Sequence, residues 1–287
     1  MTTWFITGSS RGFGRGLVSA ALDAGDQVVA TARQPADLAE LVVTGGDAIL
    51  PVALDVTDAA AAKAAIEAGV EHFGRIDVVV NNAGYANIAP IETGDEADFR
   101  AQFETNFWGV YNVSRAAITQ LRSQGRGTVV QFSSIGGRVG GTPGIASYQA
   151  AKFAVDGLSR SLAAEVAPFG IRVMVVEPSG FATDWAGSSM TVYDMPAEYD
   201  AVIGDFNRRV RVGAAGAAGD PARAAQIIVE VAKREHPPTH LLVGVNAVDM
   251  AIDYSQRQLR EATHWAAVGR SADFGQPFPV ALPPDAA

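Results

Sequence analysis

Thr7-Gly8-Ser9-Ser10-Arg11-Gly12-Phe13-Gly14 follows a short apolar run, Trp4-Phe5-Ile6, and leads into an amphipathic stretch over residues 14–24. A strand that turns on glycines into a helix is suited to hold a phosphate. Gly8 permits the tight turn. Gly12 lets backbone approach an anion, and Gly14 lets the helix pack close to the sheet. The helix N-terminus offers free N–H groups and the positive end of the macrodipole. The same residues, Gly8-Ser9-Ser10-Arg11-Gly12, also fit G-x-S-x-G, the strand-turn-helix nucleophile elbow of serine hydrolases. That fold builds its oxyanion hole from an earlier strand, and none precedes this one.

Outward from this turn, short runs rich in Val and Ile recur at residues 27–31, 48–54, 77–80, 128–132, 171–176 and 240–243. They predict strands. Amphipathic stretches between them, such as 59–73 and 147–167, predict helices. Strands apolar on both faces and separated by helices imply an α/β fold, a parallel sheet covered on both sides. Right-handed crossovers make it a doubly wound, Rossmann-type sheet of about seven strands. Asp58 and Asp220 stand where helix caps belong, Pro221 starts the second of these helices, and Pro237-Pro238 is expected to close it.

Of 287 residues, 48% are apolar and 18% charged, enough for a core and too few charges for a disordered chain. The whole chain, 1–287, reads as one domain. Cysteine is absent, which removes disulfides and cysteine metal sites. A net charge of −9 disfavours nucleic acid as a partner. No apolar run is long enough to span a membrane, and the N-terminus has no basic leader. The expectation is a cytoplasmic protein. His72, His236, His240 and His264 form no metal pattern and read as surface residues, so no metal is expected.

Further motifs appear in a fixed order: Leu54-Asp55-Val56, Asn81-Asn82-Ala83-Gly84, Asn106, Ser133-Ser134, Tyr148-Gln149-Ala150-Ala151-Lys152, and residues 178–183, Pro-Ser-Gly-Phe-Ala-Thr. With the glycine turn they resemble the short-chain dehydrogenase/reductase family, over residues 3 to about 245. The resemblance implies an NAD(P)-dependent oxidoreductase acting on a carbonyl or secondary alcohol. It assigns the cofactor to Gly8, Ser10, Arg11, Gly12, Phe13 and Gly14. Asp55 and Val56 would meet the adenine, and Asn82, Ala83 and Gly84 the adenosine side. Pro178, Gly180, Phe181 and Thr183 would meet the carboxamide and phosphates. The family usually has Pro-Gly where this chain has Pro178-Ser179, which leaves that loop's geometry open.

At the end of the second strand an NAD-binding unit carries an acid for the ribose hydroxyls. Here the sequence is Thr31-Ala32-Arg33. A guanidinium at Arg33, aided by Arg11, suits a 2′-phosphate, so NADP(H) is the expected cofactor and NAD(H) the second choice.

Tyr148 and Lys152 are one helical turn apart on one face. A free phenol titrates near 10, and a nearby ammonium favours phenolate. Tyr148 can therefore serve as general acid/base, with Lys152 also holding the nicotinamide ribose. Ser134, at a strand's carboxyl end, can bond the reacting oxygen. The Ser134–Tyr148 interval is one residue longer than in many family members, so Ser133 stays a second choice. By resemblance Asn106 binds a water linking Lys152 to solvent. Its other reading is a packing residue that distorts a helix.

Residues 184–219 read as a substrate lid. Trp185, Met190, Tyr193, Met195, Tyr199 and Phe206 within it suggest a hydrophobic substrate, or packing on the core or another subunit. Residues 213–219 read as a flexible Gly/Ala loop, and 275–287 as an irregular Pro-rich tail. The family's frequent homodimers and homotetramers, through the helices carrying Asn106 and Tyr148, make self-association the expected partnership. A non-catalytic dinucleotide-binding redox sensor is the alternative reading. The serine hydrolase comes after it.

Overall fold

The computed structural model describes residues 1–181, 183, 190–211 and 219–284. Seven strands form one parallel sheet: β1 (Thr3–Ile6), β2 (Gln27–Ala32), β3 (Ile49–Ala53), β4 (Val78–Asn81), β5 (Gly127–Phe132), β6 (Ile171–Pro178) and β7 (His240–Val243). Their order is β3-β2-β1-β4-β5-β6-β7. The order reverses between β1 and β4, and in such sheets ligands bind outside the carboxyl ends at that reversal.

The helices are α1 (Gly12–Asp23), α2 (Ala39–Gly45), α3 (Ala59–Phe73), α4 (Glu96–Phe103), α5 (Gly109–Gln124), α6 (Ala146–Val166), α7 (Asp205–Arg211), α8 (Pro221–Ala232), α9 (Val245–His264) and α10 (Ala266–Arg270). Alternate residues of the strands feed two cores. Trp4, Ile6, Val28 and Val176 face Leu17 and Val18 of α1 and Ile228 of α8. Phe5, Val29, Val79 and Val129 face Ile66 of α3, Val113 of α5 and Leu162 of α6. Burial on both faces explains why the strands lack polar alternation.

Local signals set the helix ends. Asp58 Oδ1 accepts from the N–H groups of Ala60 and Ala61, and Asp220 Oδ1 from those of Ala222 and Arg223. α8 stops at Ala232, before the Pro237-Pro238 pair expected to close it. Arg172 takes the carbonyls of Arg234 and Glu235, drawing the chain off its helical path toward β7. Buried Asp26 accepts from Thr2 N–H and Trp4 Nε1 and pairs with Lys233, tying β1 to the end of α8.

Residues 275–284 of the tail carry no helix or strand, and 285–287 lie outside the described residues. So do residues 184–189, with Trp185, and 212–218, which cover part of the lid and most of the Gly/Ala loop. No helix among the described residues is long and apolar enough to cross a membrane.

Candidate active site

The glycine turn has the backbone that its residues demand. Gly8 and Gly12 adopt φ of +67° and +54°. A Cβ on Gly14 would lie 2.1 Å from Gly8 O and 2.6 Å from Asn82 Nδ2. Asn82 Nδ2 donates to Thr7 O and Gly8 O, and Thr7 Oγ1 accepts from the N–H groups of Asn82 and Ala83. The β4 end thus holds the β1 turn. Asp58, Asp95 and Asp220 cap their helices, but Arg11 at the N-cap of α1 makes no side-chain cap bond and the first turn carries no acid. That terminus presents N–H groups to an anion, which fits a dinucleotide's pyrophosphate.

Around this turn, Phe13 packs tilted against Phe132 and edge-on against Phe181, at 5.6 and 5.0 Å between ring centroids. Thr183 lies beside Gly12, its Cβ 3.6 Å from where a Gly12 Cβ would sit. After Pro178, Ser179 N–H donates to Val243 O and Gly180 O accepts from Gly219 N–H, so the chain turns back over the sheet edge. Arg33 is exposed at the end of β2. Asp55, also exposed, folds into its own turn by accepting from Thr57 N–H and Oγ1, and these bonds with the nearby Arg33 charge hold its pKa down. Val56 is buried and fills the space left by Gly109.

The second cluster lies at the ends of β4, β5 and α6. Tyr148 is 9% exposed, shares a hydrogen bond with Ser134, and has Lys152 Nζ 5.6 Å from its ring centroid. Lys152 Nζ donates to Phe132 O. Burial pushes the phenol up to about 12, against the smaller downward pull of Ser134. Burial brings the ammonium down to about 8. The protein alone therefore does not lower the phenol as the Tyr-Lys spacing suggests. Desolvation outweighs the hydrogen bond from Ser134.

The two serines diverge. Ser134 turns to Tyr148, while Ser133 Oγ donates to Lys152 O and anchors α6 to the strand. Ser133 thus faces the helix. Asn106 is fully buried in a π-helical turn, Glu104–Trp108, between α4 and α5. Its Nδ2 donates to Tyr85 O and its Oδ1 accepts from Tyr85 N–H. A Cβ on Gly84 would lie 2.5 Å from Asn106 Oδ1 and 3.6 Å from Lys152 Nζ, so Gly84 permits this close approach. Both polar atoms of the side-chain amide are thus committed to the Tyr85 backbone.

Sequence reading missed a buried ionic network behind α6. Arg138 Nε donates to Glu177 Oε2 at 2.9 Å, while Glu177 Oε1 has no hydrogen-bond partner. Asp156 bonds His240 Nε2 at 2.6 Å and Arg160 Nε at 2.8 Å. His240, expected on the open surface, is thus largely enclosed, its side chain 16% exposed. Asp156, Glu177 and His240 bring one ligand-type atom each within 4.8 Å of one another, but Arg138 and Arg160 already balance the two carboxylates. Two signals for this network were present. Asp156 continues the Tyr148–Lys152 spacing by one turn, and Glu177 interrupts an apolar strand.

Above Tyr148, residues 190–210 form an apolar cover. Met190, Val192, Met195, Tyr199, Ile203 and Phe206 join a cluster with Ile88, Ile145 and Tyr148. Ile88 N–H donates to Thr191 O, and Tyr193 N–H to Ile88 O, which fastens the segment. Among the described residues no histidine bonds Ser10, and His240 is bonded instead to Asp156, Thr239 and Arg160.

Residues 2–193 match the family model for short chain dehydrogenases. The chain belongs to the short-chain dehydrogenase family. Within this family it is 50% identical to oxidoreductase BOA17 of Botryotinia fuckeliana over 86% of this chain and 90% of that protein. A short-chain dehydrogenase from Streptomyces avermitilis superposes with a TM-score of 0.87 at 36% identity, covering 95% of this chain and 98% of that one. A 3-ketoacyl-(acyl-carrier-protein) reductase from Brucella melitensis, complexed with NADH, has a TM-score of 0.71 at 26% identity over 84% of this chain and 95% of that one. The short-chain dehydrogenase fold and sequence make this chain an oxidoreductase that uses a nicotinamide dinucleotide.

Proposed function

We propose that the protein interconverts a hydrophobic carbonyl compound and its secondary alcohol, preferring NADP(H), with Tyr148 as general acid/base. The observation that carries this reading is Tyr148 itself. Its hydroxyl is bonded to Ser134, its ring lies near Lys152, and apolar residues of 190–210 pack around it. A substrate oxygen reaching Ser134 and Tyr148 would have its carbon chain among Ile88, Ile145, Met195 and Phe206. The nicotinamide supplies or accepts the hydride when bound. Lys152 would hold the nicotinamide ribose, and its charge favours the phenolate that forms as Tyr148 gives up its proton. The 190–210 cover would exclude water from the transfer.

Preference for NADP(H) rests on Arg33. It is exposed and directly follows Ala32, which stands where an NAD site has an acid. Charged hydrogen bonds contribute about 1.5–3 kcal/mol. Arg33→Ala should therefore weaken NADPH by roughly 10- to 100-fold and leave NADH nearly unchanged. Titration followed by nicotinamide fluorescence measures both. Equal loss for the two cofactors, or none, would remove the preference.

The redox-sensor alternative lacks a use for the Ser134–Tyr148 bond, and turnover of any ketone or alcohol would eliminate it. Self-association of the α4–α6 face is supported by exposed Phe99, Trp108 and Phe153. Light scattering should report a dimer or tetramer at micromolar concentration, and Trp108→Glu should lower that mass. A monomer at every concentration contradicts it.

A further inference from the structure

The β5–β6 ladder stops one residue short of Ser134. Ser133 N–H donates to Val176 O, and the chain then leaves the sheet in a single short turn, Ile135–Gly137. That turn decides where the Ser134 hydroxyl sits. Gly136 N–H donates to Ser134 Oγ at 3.0 Å, and Gly137 N–H donates to Ser134 O. One acceptor position of the hydroxyl is thus taken by backbone. The bond between Ser134 and Tyr148 therefore depends on how the turn is oriented.

Arg138 closes the turn, its N–H donating to Ile135 O. Its guanidinium reaches across to β6, where Nε and Nη2 both lie 2.9 Å from Glu177 Oε2. A planar, charge-assisted fork fixes direction as well as distance. The turn has a second hold. Ile135 and Val139 pack with Leu242 and with Ala247 and Ala251 of α9. Apolar contact is non-directional, so it presses the turn onto the body without fixing its rotation.

The same cluster reaches the other half of the site. Asp156 bonds His240 of β7 and Arg160, and one ligand-type atom each of Asp156, Glu177 and His240 lies within 4.8 Å of the others. Asp156 stands about two helical turns after Tyr148 on α6. Charges behind the site thus hold the Ser134 turn through Arg138 and the Tyr148 helix through Asp156.

We infer that Arg138 and Glu177 are positioning residues that set the Ser134 hydroxyl against Tyr148. The inference rests on the reading of Ser134 and Tyr148 proposed above. A buried ion pair is often matched in stability by apolar residues of the same volume. Alignment of the turn gives this one a use that stability alone does not.

The test is a double-mutant cycle with Ser134→Ala, assayed with NADPH and straight-chain methyl ketones from hexan-2-one to dodecan-2-one. Arg138→Met combined with Glu177→Gln removes the clamp and leaves neither charge of the pair behind. Arg138→Lys is the second variant. It keeps a cation beside Glu177, and so the fold, but one ammonium does not reproduce the fork. Both should melt cooperatively and bind NADPH within about twofold of wild type, yet lose roughly 10- to 100-fold in kcat, the scale of a 1 Å misplacement. In a Ser134→Ala background the same changes should cost less than about twofold, because the group they position is gone. A purely structural role would carry over into that background undiminished. Wild-type kcat in both variants, or the full loss repeated in Ser134→Ala, overturns the inference and leaves the catalytic reading standing. An inactive wild type across the ketone series, or full turnover in Ser134→Ala, removes that reading and the inference with it.

Discussion

Tyr148→Phe should retain dinucleotide binding and lose roughly 10²- to 10⁴-fold in turnover, the contribution of a positioned proton donor. The substitution removes one oxygen from a buried ring and leaves its packing against Ile88 and Ile145 in place. Lys152 keeps its bond to Phe132 O, so the local backbone has no reason to move. Turnover near wild type would assign the proton to another group, of which Ser134 is nearest. The pH profile separates the partners. With the phenol pushed up to about 12 and the ammonium down to about 8, the free enzyme holds a neutral tyrosine throughout the useful range. For ketone reduction, kcat/KM should therefore fall above about pH 8, as Lys152 loses its charge, and not wait for the phenol. A profile flat to pH 10 would take Lys152 out of the reaction.

Arg138→Met should be among the most destabilising single changes in the chain. Glu177 is buried, and Arg138 holds only its Oε2. Removing one partner of a buried pair costs about 3–5 kcal/mol, because the remaining charge is left without compensation. Burial already raises the Glu177 pKa. A carboxyl raised in the folded state binds more protons there than when unfolded, so stability falls as pH rises through that window. Without Arg138 the rise is larger. The penalty in Arg138→Met should be greatest at pH 8 and shrink toward pH 5, as read by denaturant melts. Adding Glu177→Gln should recover much of it. A loss that does not vary with pH would point to lost packing of the arginine stem instead.

These two groups mark what the sequence discloses and what it withholds. The strands were legible to within a residue or two, because Val/Ile runs end at Gly, Asp or Asn. α3 was legible to the residue, since Asp58 caps it and Gly74 takes the left-handed stop. The glycine turn, Ser134, Tyr148 and Lys152 were legible because each is a local signal on a defined element, and the fold brings them to the same ends of neighbouring strands. The Arg138–Glu177 pair was not, since it joins residues 39 apart across the β5–β6 edge. The Tyr148 titration was not either. A Tyr-x-x-x-Lys spacing reports the neighbouring charge but not the burial that pushes the phenol up here. Asn106 illustrates a third case. Its position was marked, while the partner of its amide, the loop backbone at Tyr85 21 residues away, had no local signal.

The anchoring of α6 has a consequence for how such a protein can diversify. Ser133 grips the helix at Lys152, and Asp156 fixes the next turn to β7 through His240. Neither fastening involves residues 190–210, whose backbone is pinned instead to the loop at Asn87 and Ile88. Mutational drift in that cover can therefore reshape the space above Tyr148 while the helix beneath keeps its alignment. On the proposed reading, substrate range becomes heritable separately from the Tyr148 helix, and a duplicated gene could explore new substrates without first passing through an inert ancestor.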